Sequence, residues 1–322
     1  MGLEINAASA ASLRSETINP LERGGNLQPR VDSGTKKPSF ETFLKRSSGE
    51  ESLSDVYASR AGLSTKINAF SVRNRNPQSP PPDTNFDGHF VGAGGRTFSA
   101  ETALGDVPAV TPRGGVRNGG TLIYVNGINT DVRRQAVSLQ AIADQTGSRV
   151  VGIHNATQNP AADIAQSLGD KLDIGRNPAV DTLAETVYDE LRAGRDVHLL
   201  AYSQGAIITS RALQDVKNRL MLEDGMPRRE AERLMNNVKV ETFGGAARRY
   251  PNGPQYVHYV NRNDVVPLFF GLRSWLNPFA RPGRDAVTHY FREGKAFFSH
   301  GLEKFYLPER VPFEQARRGK FD

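Results

Sequence analysis

The segment VHLLAYSQGAII (197–208) joins a strand-like run to a helix-like run through a single residue, and this limits what the chain can fold into. Apolar residues before Tyr202 have the texture of a buried strand, and those after Gln204 continue as a helix, so the chain reverses at Ser203. A turn that tight holds its central residue in strained backbone geometry with the side chain thrust outward. It closes only where the residues two before and two after are small, and here they are Ala201 and Gly205. Placed there, the Ser203 hydroxyl points away from the sheet at its carboxyl edge. It lies beside a helix N-terminus whose free N–H groups favour negative charge. A plainer use of the same residues is a serine capping a helix, and the surrounding chain has to separate the two.

Around this turn, short apolar runs alternate with helical periodicities. TLIYVNG (121–127) and SRVVGIHN (148–155) read as strands, with RRQAVSLQAIADQTG (133–147) as the helix between them. NPAVDTLAETVYDELRAG (177–194) reads as a helix with Asn177 as its cap, Pro178 in its first turn and Gly194 at its end. Strands follow at 196–202, 238–245, 255–261 and 286–291, with helices from Gln204 and near 294–306. The stretch 211–238 extends the helix after Ser203 and adds a second, charged one that reads as a solvated insertion. Strands separated by helices of this length predict an α/β fold, a mostly parallel sheet with helices on both faces. In such sheets ligands sit at the carboxyl ends of the strands.

Upstream the texture differs. Residues 1–115 are dominated by Ser, Asn, Pro, Gly and Arg, with RNRNPQSPPPDTNFDGHFVGAGGRTFS (73–99) the clearest case. Such a stretch buries too little apolar surface to offset backbone ordering, which costs about 1–2 kcal/mol per residue. The expected organisation is a disordered N-terminal region over 1–115 and one folded domain over 116–322. The faint helical spacing of FETFLKR (40–46) reads as transient helix within that region. An overall hydrophobic content of 38% fits a chain of 322 residues in which one part carries no core.

Composition excludes some chemistry. The chain has no Cys, which rules out disulfides, thiolate catalysis and Cys-ligated zinc. No metal or cofactor is expected. A net charge of +6 is too modest an excess to indicate nucleic acid as a partner, although it favours approach to an anionic surface. No run of about 18 apolar residues is available to span a bilayer. The start MGLEINAASAASLRSE lacks the basic opening and apolar core of a secretory signal, and Asn6 stands where a myristoylation motif needs Ser or Thr. The expectation is a soluble protein, cytoplasmic or exported without a signal peptide of that kind.

A serine hydroxyl near its ordinary pKa is a poor nucleophile and needs a base, usually His, oriented by a carboxylate. NRNDVVP (261–267) places Asp264 in a polar turn just past a strand, where it can accept an imidazole N–H or simply cap the turn. AFFSHGLEKFY (296–306) places His300 after the last strand. His289 competes for the role of base, but it sits inside AVTHYF (286–291), where a mid-strand histidine is more often packed than reactive, and His300 is favoured. The order Ser, acid, His is the one used on this kind of sheet. An oxyanion also needs donors. Backbone N–H groups after VNG (125–127) can face that of Gln204, although Asn-Gly is also a good turn former.

These residues resemble the α/β-hydrolase superfamily. AYSQG is similar to the Gly-Tyr-Ser-Gln-Gly elbow of cutinases and related lipases, and NRNDVVP with SHGLEKFY resembles the acid loop and His-to-Tyr segment of class 3-type lipases. The resemblance spans about residues 117–310. It implies Ser203 as nucleophile, His300 as general base and then acid, Asp264 as the orienting carboxylate, and the N–H groups of Gln204 and Ile128 as oxyanion hole. Two positions depart from the pattern, Ala201 for the usual Gly and VNG for the more common His-Gly after the first strand.

The substrate class is less constrained. LFFGLRSWLNPFARPGR (268–284) gathers Phe269, Phe270, Trp275 and Phe279 with Arg273, Arg281 and Arg284 and holds no acid. On this fold it would hang beside the active site. Such a surface suits the interface of an anionic bilayer, or it forms an apolar cover over the core. The expected function is therefore a carboxylic-ester hydrolase acting on a lipid, phospholipid or small ester. The alternatives are a catalytically weak hydrolase fold serving as a binding module, and acyl transfer or peptide hydrolysis on the same triad. A Ser-rich, acid-poor start on a Cys-free hydrolase also resembles bacterial effectors exported by specialised secretion systems. Cytoplasmic residence with a regulatory tail accounts for the same composition.

Overall fold

In the computed structural model, residues 84–156, 177–272, 279–296 and 299–322 are described. Eight strands form one sheet: β1 (Phe90–Val91), β2 (Thr97–Phe98), β3 (Thr121–Val125), β4 (Arg149–Ile153), β5 (Val197–Tyr202), β6 (Val238–Phe243), β7 (Gln255–Asn261) and β8 (Val287–Phe291). Their spatial order is β2-β1-β4-β3-β5-β6-β7-β8. From β4 to β8 every pairing is parallel, whereas β1 runs antiparallel to β4 and β2 antiparallel to β1.

The helices form where the sequence supplies caps. In α1 (Val132–Thr146) the Asp131 side chain accepts from the Arg134 N–H at 2.7 Å, and Gly147 closes the helix in the left-handed region at φ +67°. In α2 (Pro178–Arg192) the Asn177 side chain accepts from the Val180 N–H, with Pro178 in the first turn. α3 (Gly205–Leu222) follows Ser203 directly, and α4 (Arg228–Met235), α5 (Val265–Phe269) and α6 (Phe313–Arg317) are shorter.

Successive strand residues face opposite sides, so both faces of the sheet are apolar. On one face Ile123, Val125, Leu199 and Val240 pack under Leu183 and Val187 of α2 and Ile208 and Leu213 of α3. On the other, Leu122, Tyr124, Leu200 and Tyr259 meet Leu139 and Ile142 of α1 and the C-terminal Leu302 and Tyr306. The predicted α/β architecture with helices on both faces is therefore present.

Three expectations need correction. The folded unit begins well before residue 116: Phe90 and Val91 are buried, β1 pairs with the outer edge of β4, and Gly88 N–H donates to His154 O at 2.8 Å. Two-residue strands between glycines have no readable periodicity, and it is the exposed edge of β4 that recruits them. The helix expected near 294–306 is also shorter than that stretch, and it is not the last, since α6 follows it. Gly294 sits at φ +71°, and among the described residues of that stretch the helical part is a π-helical turn at Leu302–Tyr306. Finally, 211–238 is not merely solvated, because Val216, Leu220, Ala231 and Met235 belong to the core. Residues 1–83, including the 40–46 stretch, lie outside the described residues. No helix among those described is long and apolar enough to cross a membrane.

The connection from β3 to β4 moves one way across the sheet, while β5 lies on the other side of β3. The crevice at the carboxyl ends of β3 and β5 is therefore the switch point where ligands bind in such sheets.

The α3–α4 pair is closed by a charge cluster. Glu232 contacts Lys217 Nζ at 2.6 Å, Arg228 at 3.0 Å and Arg284 at 3.2 Å. Burial raises the Glu232 carboxyl, but the three cations outweigh it and hold the group down to about 2 from an ordinary 4.5. A carboxyl depressed on folding stabilises above its unfolded pKa, and that stability is lost as pH falls through the folded one. Glu232→Gln should therefore lower the thermal midpoint at pH 7, with the gap to wild type closing as pH drops from about 4.5 towards 2. Thermal melts across that range test it, and a gap independent of pH would contradict the ion-pair origin.

Candidate active site

At the end of β5 the chain makes the predicted reversal. Ser203 has φ +56°, a left-handed conformation that non-glycine residues rarely adopt. The surroundings hold it there. Ser203 N–H donates to Phe243 O at 3.0 Å, and Ser203 O accepts from Ala246 N–H at 3.0 Å and Ala206 N–H at 3.2 Å. The small neighbours are required by space: a Cβ on Gly205 would lie 2.3 Å from Val125 O, and one on Gly127 would lie 2.9 Å from Ser203 Cβ. The helix start, the serine and the loop after β3 thus pack at backbone contact distance.

His300 stands across from the serine. Its Nε2 lies 2.9 Å from Ser203 Oγ and its Nδ1 2.6 Å from Asp264 Oδ2. With its proton on Nδ1 the ring donates to the carboxylate and accepts from the hydroxyl. The Tyr202 ring stacks on the imidazole at 4.8 Å between centroids and 22° between planes. Ser203 is 6% exposed and the His300 side chain 12%, so the pair is largely shielded yet open to solvent at its edge.

Asp264 caps α5, with Oδ1 accepting from Val266 N–H at 2.8 Å. Its Oδ2 also accepts from Tyr306 OH at 2.5 Å. Burial, with the Asp264 charge next to it, holds the Tyr306 phenol well above its usual range, so it remains a proton donor. Gly244, at φ +56°, makes room for this pair: a Cβ there would lie 2.8 Å from Tyr306 OH and 2.9 Å from Asp264 Oδ2. Asn261 ties the acid turn to the segment leading to His300. Its side chain accepts from Asn263 N–H at 3.0 Å and Glu293 N–H at 3.1 Å, and donates to Ser299 O at 3.4 Å.

The loop after β3 passes beside Ser203, as the Gly127 contact requires. No hydrogen bond from the Gln204 or the Ile128 backbone N–H to another described residue is seen, and both residues neighbour the Gly127–Ser203 contact in the chain. The structure therefore brings together Ser203, His300 and Asp264 and sets Gln204 and Ile128 at the same edge. His289 is elsewhere, stacked on Phe321 at 4.0 Å and 3.4 Å from Glu309. His258 is buried between Thr242 Oγ1 and Pro282 O, and burial holds its ring down to about 4, so it stays neutral. Among the described residues, no group of three or more His, Asp or Glu side chains converges to hold a metal.

Sequence reasoning did not find the roles of Tyr202 and Tyr306, nor the buried pairing in which Asn126 Oδ1 accepts from Asn155 N–H at 2.9 Å. Tyr202 and Tyr306 carried a signal, because both flank the elbow and histidine motifs. Asn155 carried none beyond its place at the end of a strand. Chemically, an imidazole between a buried carboxylate and a hydroxyl can take the hydroxyl proton while the carboxylate stabilises the cation that forms. No family model, curated protein or solved structure matches the chain.

The Gly205 crossing gives a direct stability test. Gly205→Ala adds one methyl against a backbone carbonyl and should destabilise by about 1–3 kcal/mol or more, read by urea denaturation. Helix propensity alone favours Ala over Gly, by roughly 1 kcal/mol. A variant as stable as wild type would therefore exclude the close crossing.

Proposed function

We propose that this protein is a serine hydrolase of the α/β-hydrolase kind that cleaves carboxylic esters through an acyl-enzyme. The observation that carries the reading is the continuous hydrogen-bonded chain Ser203–His300–Asp264 at the carboxyl edge of a parallel sheet. Ser203 Oγ attacks the ester carbonyl as its proton passes to His300 Nε2. The resulting oxyanion faces the N–H groups of Gln204 and Ile128. Collapse expels the alcohol, which takes the proton from His300, and Ser203 retains the acyl group. Water then attacks this acyl-enzyme with His300 again as base, releasing the acid and restoring the hydroxyl. Asp264 stays ionised throughout and fixes the ring. No cofactor enters this scheme.

Lipid or phospholipid esters are the favoured substrates, with the 268–284 segment as the contact to an anionic bilayer. Phe279, 62% exposed, supports this role. Leu268 and Leu272 are buried, Phe269 and Phe270 are half-buried and Arg284 contacts Glu232, so the contact is assigned to the exposed Phe279 and Arg281. Trp275 and Arg273 lie outside those residues.

A fluorophosphonate probe should label wild type but not Ser203→Ala. Nitrophenyl ester turnover should drop by at least about 10³-fold in Ser203→Ala and His300→Ala. Labelling that persists in Ser203→Ala would remove Ser203 from the nucleophile role. For the substrate class, the informative pair is wild type against Phe279→Ala on vesicles containing phosphatidylglycerol. Weaker co-sedimentation and slower phospholipid turnover, with soluble ester turnover unchanged, are expected. Equal binding by both proteins would eliminate the membrane contact.

A further inference from the structure

Behind the elbow lies a closed polar network that the hydrolytic scheme does not by itself call for. Asn126 ends β3, Asn155 follows β4, and Gln204 opens α3, and all three side chains are buried. Asn126 Nδ2 donates to Gly127 O at 2.9 Å and to Asn155 O at 2.8 Å, while its Oδ1 accepts from Asn155 N–H at 2.9 Å. Both amide hydrogens and the amide oxygen are engaged, which also fixes which end of the amide is oxygen. Asn155 Nδ2 in turn donates to Gln204 Oε1 at 2.7 Å. The ends of β3 and β4 and the start of α3 are thus linked by buried side-chain amides. A partly satisfied network there would cost stability, whereas a complete one specifies a single arrangement.

The bond to Gly127 O has a geometric consequence. A peptide group is planar and trans, so its carbonyl and the following N–H point in opposite directions. A side chain that grips Gly127 O therefore sets the direction of the Ile128 N–H. Asn155 does the corresponding work at the other donor by holding the Gln204 side chain, which restrains the residue whose N–H completes the pair. We infer that Asn126 and Asn155 are positioning residues that aim the two backbone donors at the oxyanion. The inference rests on the hydrolase reading above. It extends that reading by assigning the preorganisation of the hole to two side chains that touch neither the hydroxyl nor the imidazole. Preorganised donors matter mainly in the transition state, because their geometry matches the tetrahedral oxygen rather than the ground-state carbonyl.

The test uses full-length wild type, Asn126→Asp and Asn155→Ala with a p-nitrophenyl ester, an alkyl boronic acid as tetrahedral mimic, and the fluorophosphonate probe. Asn126→Asp keeps shape but, when ionised, cannot donate to Gly127 O. Its kcat should fall about 10–100-fold with KM within about twofold, and boronate affinity should fall in parallel. Asn155→Ala keeps the backbone pair with Asn126 and removes the bond to Gln204, so a smaller loss with the same signature is expected. It serves as the readout if Asn126→Asp does not fold. Folded variants with wild-type kcat and boronate affinity would overturn the inference while leaving the hydrolase reading intact. A loss confined to KM would also overturn it. Wild type that shows no Ser203-dependent labelling would sink the hydrolase reading, and this inference with it.

Discussion

The architecture depends on one close crossing, where the first turn of α3 lies against the end of β3 with Gly205 facing Val125 O. Ser203 sits at that crossing in a conformation that costs on the order of 1–3 kcal/mol, and only a rigid frame can hold it. The frame is supplied by parallel strands buried on both faces, with Phe243 and Ala246 bonding the serine backbone from the neighbouring strand and its following loop. If the helix moved outward by the width of a methyl group, the serine would lose both its conformation and its place beside the loop after β3. Core packing and the geometry of the candidate site are therefore the same constraint.

A second anchor lies on the far side. The segment that carries His300 and Tyr306 continues to Arg310, whose guanidinium contacts Glu241 of β6 at 2.8 Å, and His198 of β5 reaches the same carboxylate oxygen at 2.8 Å. Burial raises the Glu241 carboxyl, but Arg310 and His198 outweigh it and keep the group below its ordinary range. Removing one partner of such a buried pair is far more damaging than replacing both, because the remaining charge has no water to turn to. The pair fastens the C-terminal segment to the sheet, while Asp264 and Tyr306 fasten its other end beside the serine. The segment that carries His300 is thus fastened by two buried carboxylates, Asp264 at the imidazole and at Tyr306, and Glu241 at Arg310.

Much of the frame was legible in the chain. β3, α1, β4, α2, β5, β6, β7 and β8 coincide with the expected segments to within a residue or two, because caps such as Asn177 and stops such as Gly147 act locally. The residues placed at the sheet edge could be read for a similar reason: AYSQG encodes its own turn through the sizes of Ala201 and Gly205. What escaped is held by distant partners. β1 and β2 exist because β4 offers an edge, and two residues carry no period. The 294–306 stretch reads as a longer helix, yet Gly294 takes a left-handed conformation and the helical part among the described residues is a π-helical turn at Leu302–Tyr306. Asn155 is an ordinary polar residue after a strand until the fold brings it between Asn126 and Gln204.

Ser203 and His300 are separated by 97 positions in the chain. During synthesis the turn at Ser203 and the switch point between β3 and β5 can form while the imidazole has yet to be made. A nascent chain can therefore carry the Ser203 turn without its imidazole partner. The hydroxyl meets the imidazole only once the stretch carrying His300 has been made and has docked across the sheet.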